Sequence, residues 1–293
     1  MVSLQFIRNR IKSINNTEKI TKAMKVIAAS KFRQSQLHIQ AANSYHQSLK
    51  DCMASSLSFI QNVKQTNLPI FFADSPESSE YNSVVEIFIF TSDRGLCGSF
   101  NSSIIKEYLK NNISNHNPKI KIIGLKGAES LNRLQISNYK YSNFANTLNE
   151  KSFSNFRESI YNFLNFKTKE LYFFYTHFVT AFKQEIVLKK ILPLNLNDFN
   201  NPKNKVEIQD SSIHENLNFL LSQYLLNEFY LAMSNSLTSE SCARMNAMDN
   251  ANRNAKELIK KLTLHYNQAR QSSITKEILE IISGAESINV DQE

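Results

Sequence analysis

The chain has 293 residues, 42% of them hydrophobic and 20% charged, which supplies a packed core and excludes wholesale disorder. Gly and Pro number five each, roughly a quarter to a third of average usage, which excludes collagen, a Gly/Pro linker protein and most turn-dense all-β folds. The formal net charge of +8 points to an acidic partner: nucleic acid, a membrane surface or an acidic protein face.

The breakers fall unevenly. The prolines are Pro69, Pro76, Pro118, Pro193 and Pro202, and the glycines are Gly95, Gly98, Gly124, Gly127 and Gly284. Residues 1–68 and 203–283 therefore contain neither, and both segments read as long helices. In the first, Leu4, Ile7, Ile11, Ile14, Met24 and Ile27 recur at three-to-four spacing, followed by Ala41, Tyr45, Leu49, Cys52, Phe59 and Val63. Eight basic residues from Arg8 to Arg33 (Arg8, Arg10, Lys12, Lys19, Lys22, Lys25, Lys31 and Arg33) face only Glu18. That run reads as a solvated helix face or as electrostatic docking to an acidic surface. It lacks the interleaved aromatics of single-strand nucleic-acid binders. It also has the look of a mitochondrial transit peptide.

The middle of the chain alternates. Val84–Phe90 reads as a strand closed by the turn Thr91–Gly98, followed by a helix over Asn101–Asn112 and a strand over Lys119–Leu125. Helices are expected at Gly127–Leu134 and Ser152–Asn165, strands at Glu170–Val179 and Gln184–Leu192, and loops at Asn67–Asn82 and Asn195–Asp210. Strand–helix–strand alternation means an α/β unit with some parallel pairing.

The last segment places Leu217, Leu221, Tyr224, Leu231, Cys242, Met245, Ile259, Leu262, Tyr266 and Ala269 on one stripe. Glu228, Lys31 and Asn252 interrupt the two seams, so a plain dimeric zipper fits poorly. Two helices of one chain packed antiparallel fit better, with an ordinary helical bundle as the alternative. From Asn267 to Ala285 polar and apolar residues share every turn, with Arg270, Gln271 and Ile274 on one side and Thr275 and Glu277 nearby. Such a helix is suited to being surrounded by partners.

Other chemistry is sparse. Thr91–Gly98 sits where a phosphate loop would lie, but it lacks G-K-[ST] and a third glycine, and a tight strand-to-helix turn explains it. Cys52, Cys97 and Cys242 match no metal spacing, the six histidines make no His-Glu-x-x-His, and a thiol nucleophile at Cys97 would need a His base. No apolar run approaches the ~18–20 residues of a membrane span. No catalytic residue, metal or cofactor is expected.

Three blocks carry a resemblance. Ile20–Lys31 (ITKAMKVIAASK) resembles the N-terminal helix motif of the F-type ATP synthase gamma subunit family, Thr91–Gly98 its S-D-R-G-L-C-G turn, and Met245–Ala251 with Tyr266–Gly284 its C-terminal helix. The resemblance implies a long antiparallel coiled coil of N- and C-terminal helices with a central α/β (Rossmann-like) domain. It assigns 1–66 and 206–293 to the shaft and 67–205 to the central domain. It implies a non-catalytic rotor shaft that couples proton-driven rotation to conformational cycling of the catalytic beta subunits. The implied partners are the alpha and beta subunits, the epsilon subunit and the membrane rotor c-ring. Met24, with Lys22 and Lys25, corresponds to the family's contact with an acidic beta-subunit loop. Arg270 and Gln271 correspond to its catch on a catalytic-subunit loop. Thr275 and Glu277 match polar positions near the level of Met24, and Arg244 a conformation-coupling arginine. The motifs start close to Met1, so residues 1–33 read as shaft rather than presequence, peripheral on the cytoplasmic face of a bacterial inner membrane, with the matrix side of a mitochondrion as the alternative. The alternative function is a basic coiled-coil module for nucleic acid or anionic lipid.

Overall fold

The computed structural model describes residues 4–62, 84–111, 118–142, 168–199 and 213–290. The helix expected at Ser152–Asn165 and the loop at Asn67–Asn82 lie outside them. The two breaker-free segments are helices α1 (Leu4–Asn62) and α4 (Ile213–Val290). Between them come β1 (Val84–Phe90), α2 (Phe100–Lys110), β2 (Lys119–Ile123), α3 (Leu125–Arg133), β3 (Tyr139–Ser142), β4 (Thr168–Phe178) and β5 (Gln184–Leu192). A short 3₁₀ turn at Leu196–Phe199 occupies the start of the expected Asn195–Asp210 loop. The chain forms two compact units, Met1–Ile27 with Met245–Glu293, and Ala28–Arg244.

The larger unit holds one five-stranded sheet in the order β3-β2-β1-β4-β5. The first four strands are parallel and β5 runs antiparallel to β4. The parallel part has the 3-2-1-4 order of a doubly wound α/β sheet, as the Rossmann-like expectation requires. Because alternate side chains take opposite faces, β1 serves two cores. Ile87 and Ile89 pack with Ile104, Tyr108, Ile122 and Leu131 beneath α2 and α3. Phe90 packs on the other face with Phe173, Met53 and Leu57 of α1 and Leu221, Leu225 and Phe229 of α4. Phe229 is the hub of that face, its ring centroid lying 5.0 Å from Phe90, 5.7 Å from Phe88 and 5.8 Å from Phe173.

The boundary shifts around β2 have a steric cause. The expected strand Lys119–Leu125 ends at Ile123 because Gly124 adopts φ 102°, where side chains are strained. A Cβ on Gly124 would run into the backbone carbonyl of Thr91. Gly127 does not start α3 but lies inside it, close against the Thr91 side chain and Ile122. Thr91 closes this junction, its N–H and its hydroxyl both donating to the Ile123 carbonyl at 2.7 Å.

Within the larger unit α1 and α4 run antiparallel, and polar groups fix their register. Asn227 donates to the Ala42 carbonyl at 3.4 Å, and the Tyr230 hydroxyl lies 3.1 Å from His38 Nδ1. Glu228, which interrupted the seam in the sequence, is 3% exposed and accepts from Lys189 Nζ of β5 at 2.6 and 2.8 Å. His46 Nε2 of α1 lies 3.5 Å from the same carboxylate, with its ring 5.2 Å from that of Tyr224. One buried carboxylate thus joins α1, α4 and β5. Burial pushes the Tyr175 phenol up to about 12, and the Glu228 charge adds to the shift. Burial depresses His46 below its ordinary value, Glu228 opposes this, and Lys189 and Lys50 add to the depression.

Two outcomes follow from these contacts. Gly124→Ala should cost about 2–4 kcal/mol, since it combines a forbidden φ with a clash against backbone, and a urea midpoint will read it. His46 stays neutral in the fold at a pH where the unfolded chain takes a proton. Stability is therefore full above the ordinary imidazole value of 6.5 and is lost as pH falls below it. His46→Gln should show a smaller drop in Tm than the parent chain between about pH 7.5 and about pH 5.5.

Candidate functional site

In the smaller unit the helices form a true heptad seam. On α1 a stripe of covered or half-covered residues runs Leu4, Ile7, Ile11, Ile14, Glu18, Thr21 and Lys25, with half-covered Asn15 and Met24 beside it. On α4 the matching stripe runs Met248, Asn252, Ala255, Ile259, Leu262, Tyr266, Ala269 and Ser273, with half-covered Met245, Ala247, Asp249 and Ala251 beside its start. Both follow alternating steps of three and four, the pattern of a coiled coil. Lys25 Nζ pairs with Asp249 Oδ1 at 2.5 Å. Asn252 Nδ2 donates to the Glu18 carbonyl at 3.0 Å and lies 3.5 Å from Thr21 Oγ1. Lys256 Nζ lies 4.0 Å from Glu18 Oε1. Numbers fall along α1 as they rise along α4, so the pair is antiparallel. The polar residues that mar the sequence pattern are the ones that pin this register, as buried polar groups in coiled coils do.

Register decides what is covered. Glu18 lies beside Lys256, and each heptad back along α1 is matched by one forward along α4. Leu4 therefore stands roughly level with Arg270, and α4 continues past it. Arg270, Gln271, Thr275 and Glu277 are all exposed. Ile274, Ile278, Ile281 and Ile282 are exposed among them, Ile281 by 71%. Thr275 back-bonds to the Gln271 carbonyl at 2.9 Å, and Ser273 donates to Glu277 at 3.3 Å. A helix end with this much exposed isoleucine is an interaction surface rather than a solvated tip.

Thr275 and Glu277 do not lie at the level of Met24. Lys25 pairs with Asp249, and Thr275 is 26 residues further along α4, about 39 Å at the helical rise. The antiparallel register carries them away from Met24 and past Leu4. Met24 itself is half-buried and Lys22 is exposed. Lys25 is committed inside the pair, and its hydrogen bond is the largest influence holding Asp249 below the usual carboxylate value. Three of the other basic residues, Arg8, Lys12 and Lys19, line an open polar groove of about 920 Å³ with Asn15 and Tyr266.

Arg244, in the larger unit, points inward. Its guanidinium donates to the Arg94 carbonyl at 3.1 Å and to the Gly95 carbonyl at 3.3 Å, backed by Glu240 at 2.6 Å. Burial raises the Glu240 carboxyl, and Arg244 is the largest influence in the other direction. The turn it clasps is occupied with its own bonds. Ser92 N–H donates to Asn101 Oδ1 at 2.9 Å, Lys126 N–H to the Ser92 carbonyl, and Leu125 N–H to Asp93 Oδ1, which caps α3. Cys97 Sγ neighbours Asn101 Nδ2 at 3.3 Å and Ser92 Oγ at 3.7 Å, neither of them a base. The tight-turn reading of Thr91–Gly98 fits this geometry. Among the described residues no group of His, Cys, Asp and Glu is placed to hold a metal ion. Lys189 and His46, the partners of Glu228, carried no signal in the sequence beyond the anomalous glutamate they neutralise.

A family model described as ATP synthase matches residues 3–288. The ATP synthase gamma chain of Clostridium novyi is 37% identical over 287 residues, covering 96% of each chain. That of Geotalea uraniireducens is 38% identical over 296 residues, covering 98% of this chain and 99% of the relative. Among solved structures, a chain of the central stalk/c-ring of the Tetrahymena thermophila mitochondrial ATP synthase superposes with TM-score 0.57 at 25% identity, covering 79% of this chain and 99% of that one. A chain of the Euglena gracilis mitochondrial ATP synthase, OSCP/F1/c-ring, shares the fold with TM-score 0.63 at 17% identity, covering 99% and 96%. A basic module for nucleic acid finds no support in these likenesses. The chain belongs to the ATP synthase gamma chain family.

Proposed function

We propose that this chain works as the non-catalytic rotor shaft of its ATP synthase. It couples rotation of the membrane c-ring to conformational cycling of the catalytic beta subunits. The alpha and beta subunits surround the exposed end of α4, and the epsilon subunit and c-ring bind the opposite end. In this reading residues 1–66 and 206–293 act as shaft and 67–205 as the domain beside it. The chain is peripheral, on the cytoplasmic face of a bacterial inner membrane. No helix among the described residues is long and apolar enough to cross a membrane.

The observation that carries the reading is the continuation of α4 past the level of Leu4 with isoleucines exposed beside polar hydrogen bonders. An apolar helix end of this kind needs a surrounding protein sleeve. Arg270 and Gln271 are the residues that catch a catalytic-subunit loop. A charge-assisted bond from Arg270 to a carboxylate is worth ~1.5–3 kcal/mol, enough to hold an angle and weak enough to break within a turn. Exposed Lys22 attracts an acidic beta-subunit loop toward Met24, while Lys25 serves that contact only as part of its pair with Asp249. Thr275 and Glu277 add polar contacts to the sleeve, and Arg244 transmits conformation between α4 and the Thr91–Gly98 turn.

Mixing the chain with its alpha and beta subunits tests this. The expected product contains one copy per three alpha–beta pairs and hydrolyses ATP, while the isolated chain does not. A folded chain that fails to join the complex, or that hydrolyses ATP alone at enzyme-like rates, would sink the proposal. In the whole membrane complex, Arg270→Ala should still assemble but lose ATP-driven proton pumping by about tenfold, the factor that ~1.4 kcal/mol carries. Vesicle acidification measured beside hydrolysis reads that loss.

A further inference from the structure

Among the described residues, the parallel sheet has an edge that no strand completes. β1 pairs with β4 only as far as Ile89 opposite Phe174, yet β4 runs on to Phe178. Its other edge there is satisfied by β5, with Thr176 opposite Ile186 and Phe178 opposite Gln184. The edge toward β1 is left with backbone groups that must find partners once buried. α4 supplies them from side chains. Thr176 N–H donates to Ser236 Oγ at 3.4 Å, and Ser239 Oγ donates to the Thr176 carbonyl at 3.3 Å. Phe178 N–H donates to Asn235 Oδ1 at 3.3 Å.

The series continues along the same helix. Cys242 Sγ donates to the Ala181 carbonyl at 3.5 Å, and Arg244 clasps the Arg94 and Gly95 carbonyls. Ser236, Ser239 and Asn235 are at most 5% exposed, so water does not compete for these bonds. The partners in this series are all backbone atoms: Thr176 and Phe178 in β4, and Ala181, Arg94 and Gly95 in the turns that follow β4 and β1. Backbone has no rotamer to change, so each bond resists displacement directly. An apolar contact alone tolerates small sliding, because its energy depends on area and not on direction.

We propose that Asn235, Ser236, Ser239 and Arg244 form a key that locks the α/β domain to α4 in angle and height, so that torque passes between domain and shaft through α4. These are positioning residues, acting through the backbone groups they bind. The serine- and asparagine-rich run of α4, which would weaken an ordinary core helix, is there because it stands in for a missing strand. The proposal rests on the shaft reading above and refines it.

The test uses the chain assembled with its alpha and beta subunits, which are fixed to a surface and held still by a non-hydrolysable ATP analogue. A bead is attached through a cysteine placed at exposed Arg133, at the end of α3, and its angular fluctuation is recorded. Asn235→Ala/Ser236→Ala/Ser239→Ala should widen the angular variance by about twofold, as expected when several bonds acting in parallel are removed. Ser236→Thr/Ser239→Thr keeps both hydroxyls and should restore the parent value. Leu225→Ala lowers stability by a core cavity but leaves the key intact, and should leave the variance unchanged. If the triple variant does not assemble, Arg244→Gln is measured in the same way and should also widen the variance. The key is overturned if the alanine variant matches the parent, or if Leu225→Ala widens the variance as much. Failure of the parent chain to assemble would refute the shaft reading instead, so the two failures are separable.

Discussion

Everything distinctive in this protein depends on the antiparallel register of α1 and α4. Two amphipathic helices can slide by a heptad at little apolar cost, because the stripes repeat. Sliding here would strand polar groups that are now satisfied. Asn252 would lose the Glu18 carbonyl, Lys25 would lose Asp249, and buried Glu228 would lose His46. Removing one partner from a buried ion pair costs about 3–5 kcal/mol, even though the pair itself adds little over an apolar substitute. The seam gives up some apolar burial at these points and gains a single alignment. That alignment decides which residues of α4 stand level with Leu4 and which lie beyond it.

The second dependence runs from α4 to the sheet. In doubly wound folds the crevice at the carboxyl ends of the strands, where the strand order reverses, receives a ligand. Here the turn after β1 is closed by its own hydrogen bonds and clasped by Arg244, and the extended end of β4 is capped by α4. The same topology that elsewhere opens a nucleotide crevice is used to hold a helix.

Much of the fold was legible in the sequence because breakers and periodicity are local signals. The absence of Gly and Pro from 1–68 and 203–283 marked both long helices, and Gln184–Leu192 matches β5 residue for residue. Gly124 and Gly127 misled because glycine serves close approach as well as capping, and only the fold shows that Thr91 is what they approach. Among the site residues, the sequence marked the mixed character of Arg270–Glu277, and in the fold Arg270, Gln271, Thr275 and Glu277 are exposed. It could not place Thr275 and Glu277 relative to Met24, since that depends on a register set by contacts over 200 positions apart. Nor could it tell that Lys25 is paired while Lys22 is free to face solvent, or that Glu228, odd in a seam, meets Lys189 from a strand. Long-range pairing leaves no trace in local pattern.

Direct observation of rotation tests the central claim. A filament or bead attached to Arg133→Cys in the surface-fixed complex with alpha and beta subunits should turn in one direction when ATP is supplied. It should stop when the chain is cross-linked to a neighbouring beta subunit. Brisk ATP hydrolysis by the same complexes with the marker stationary, and with no effect of the cross-link on turnover, would contradict the account.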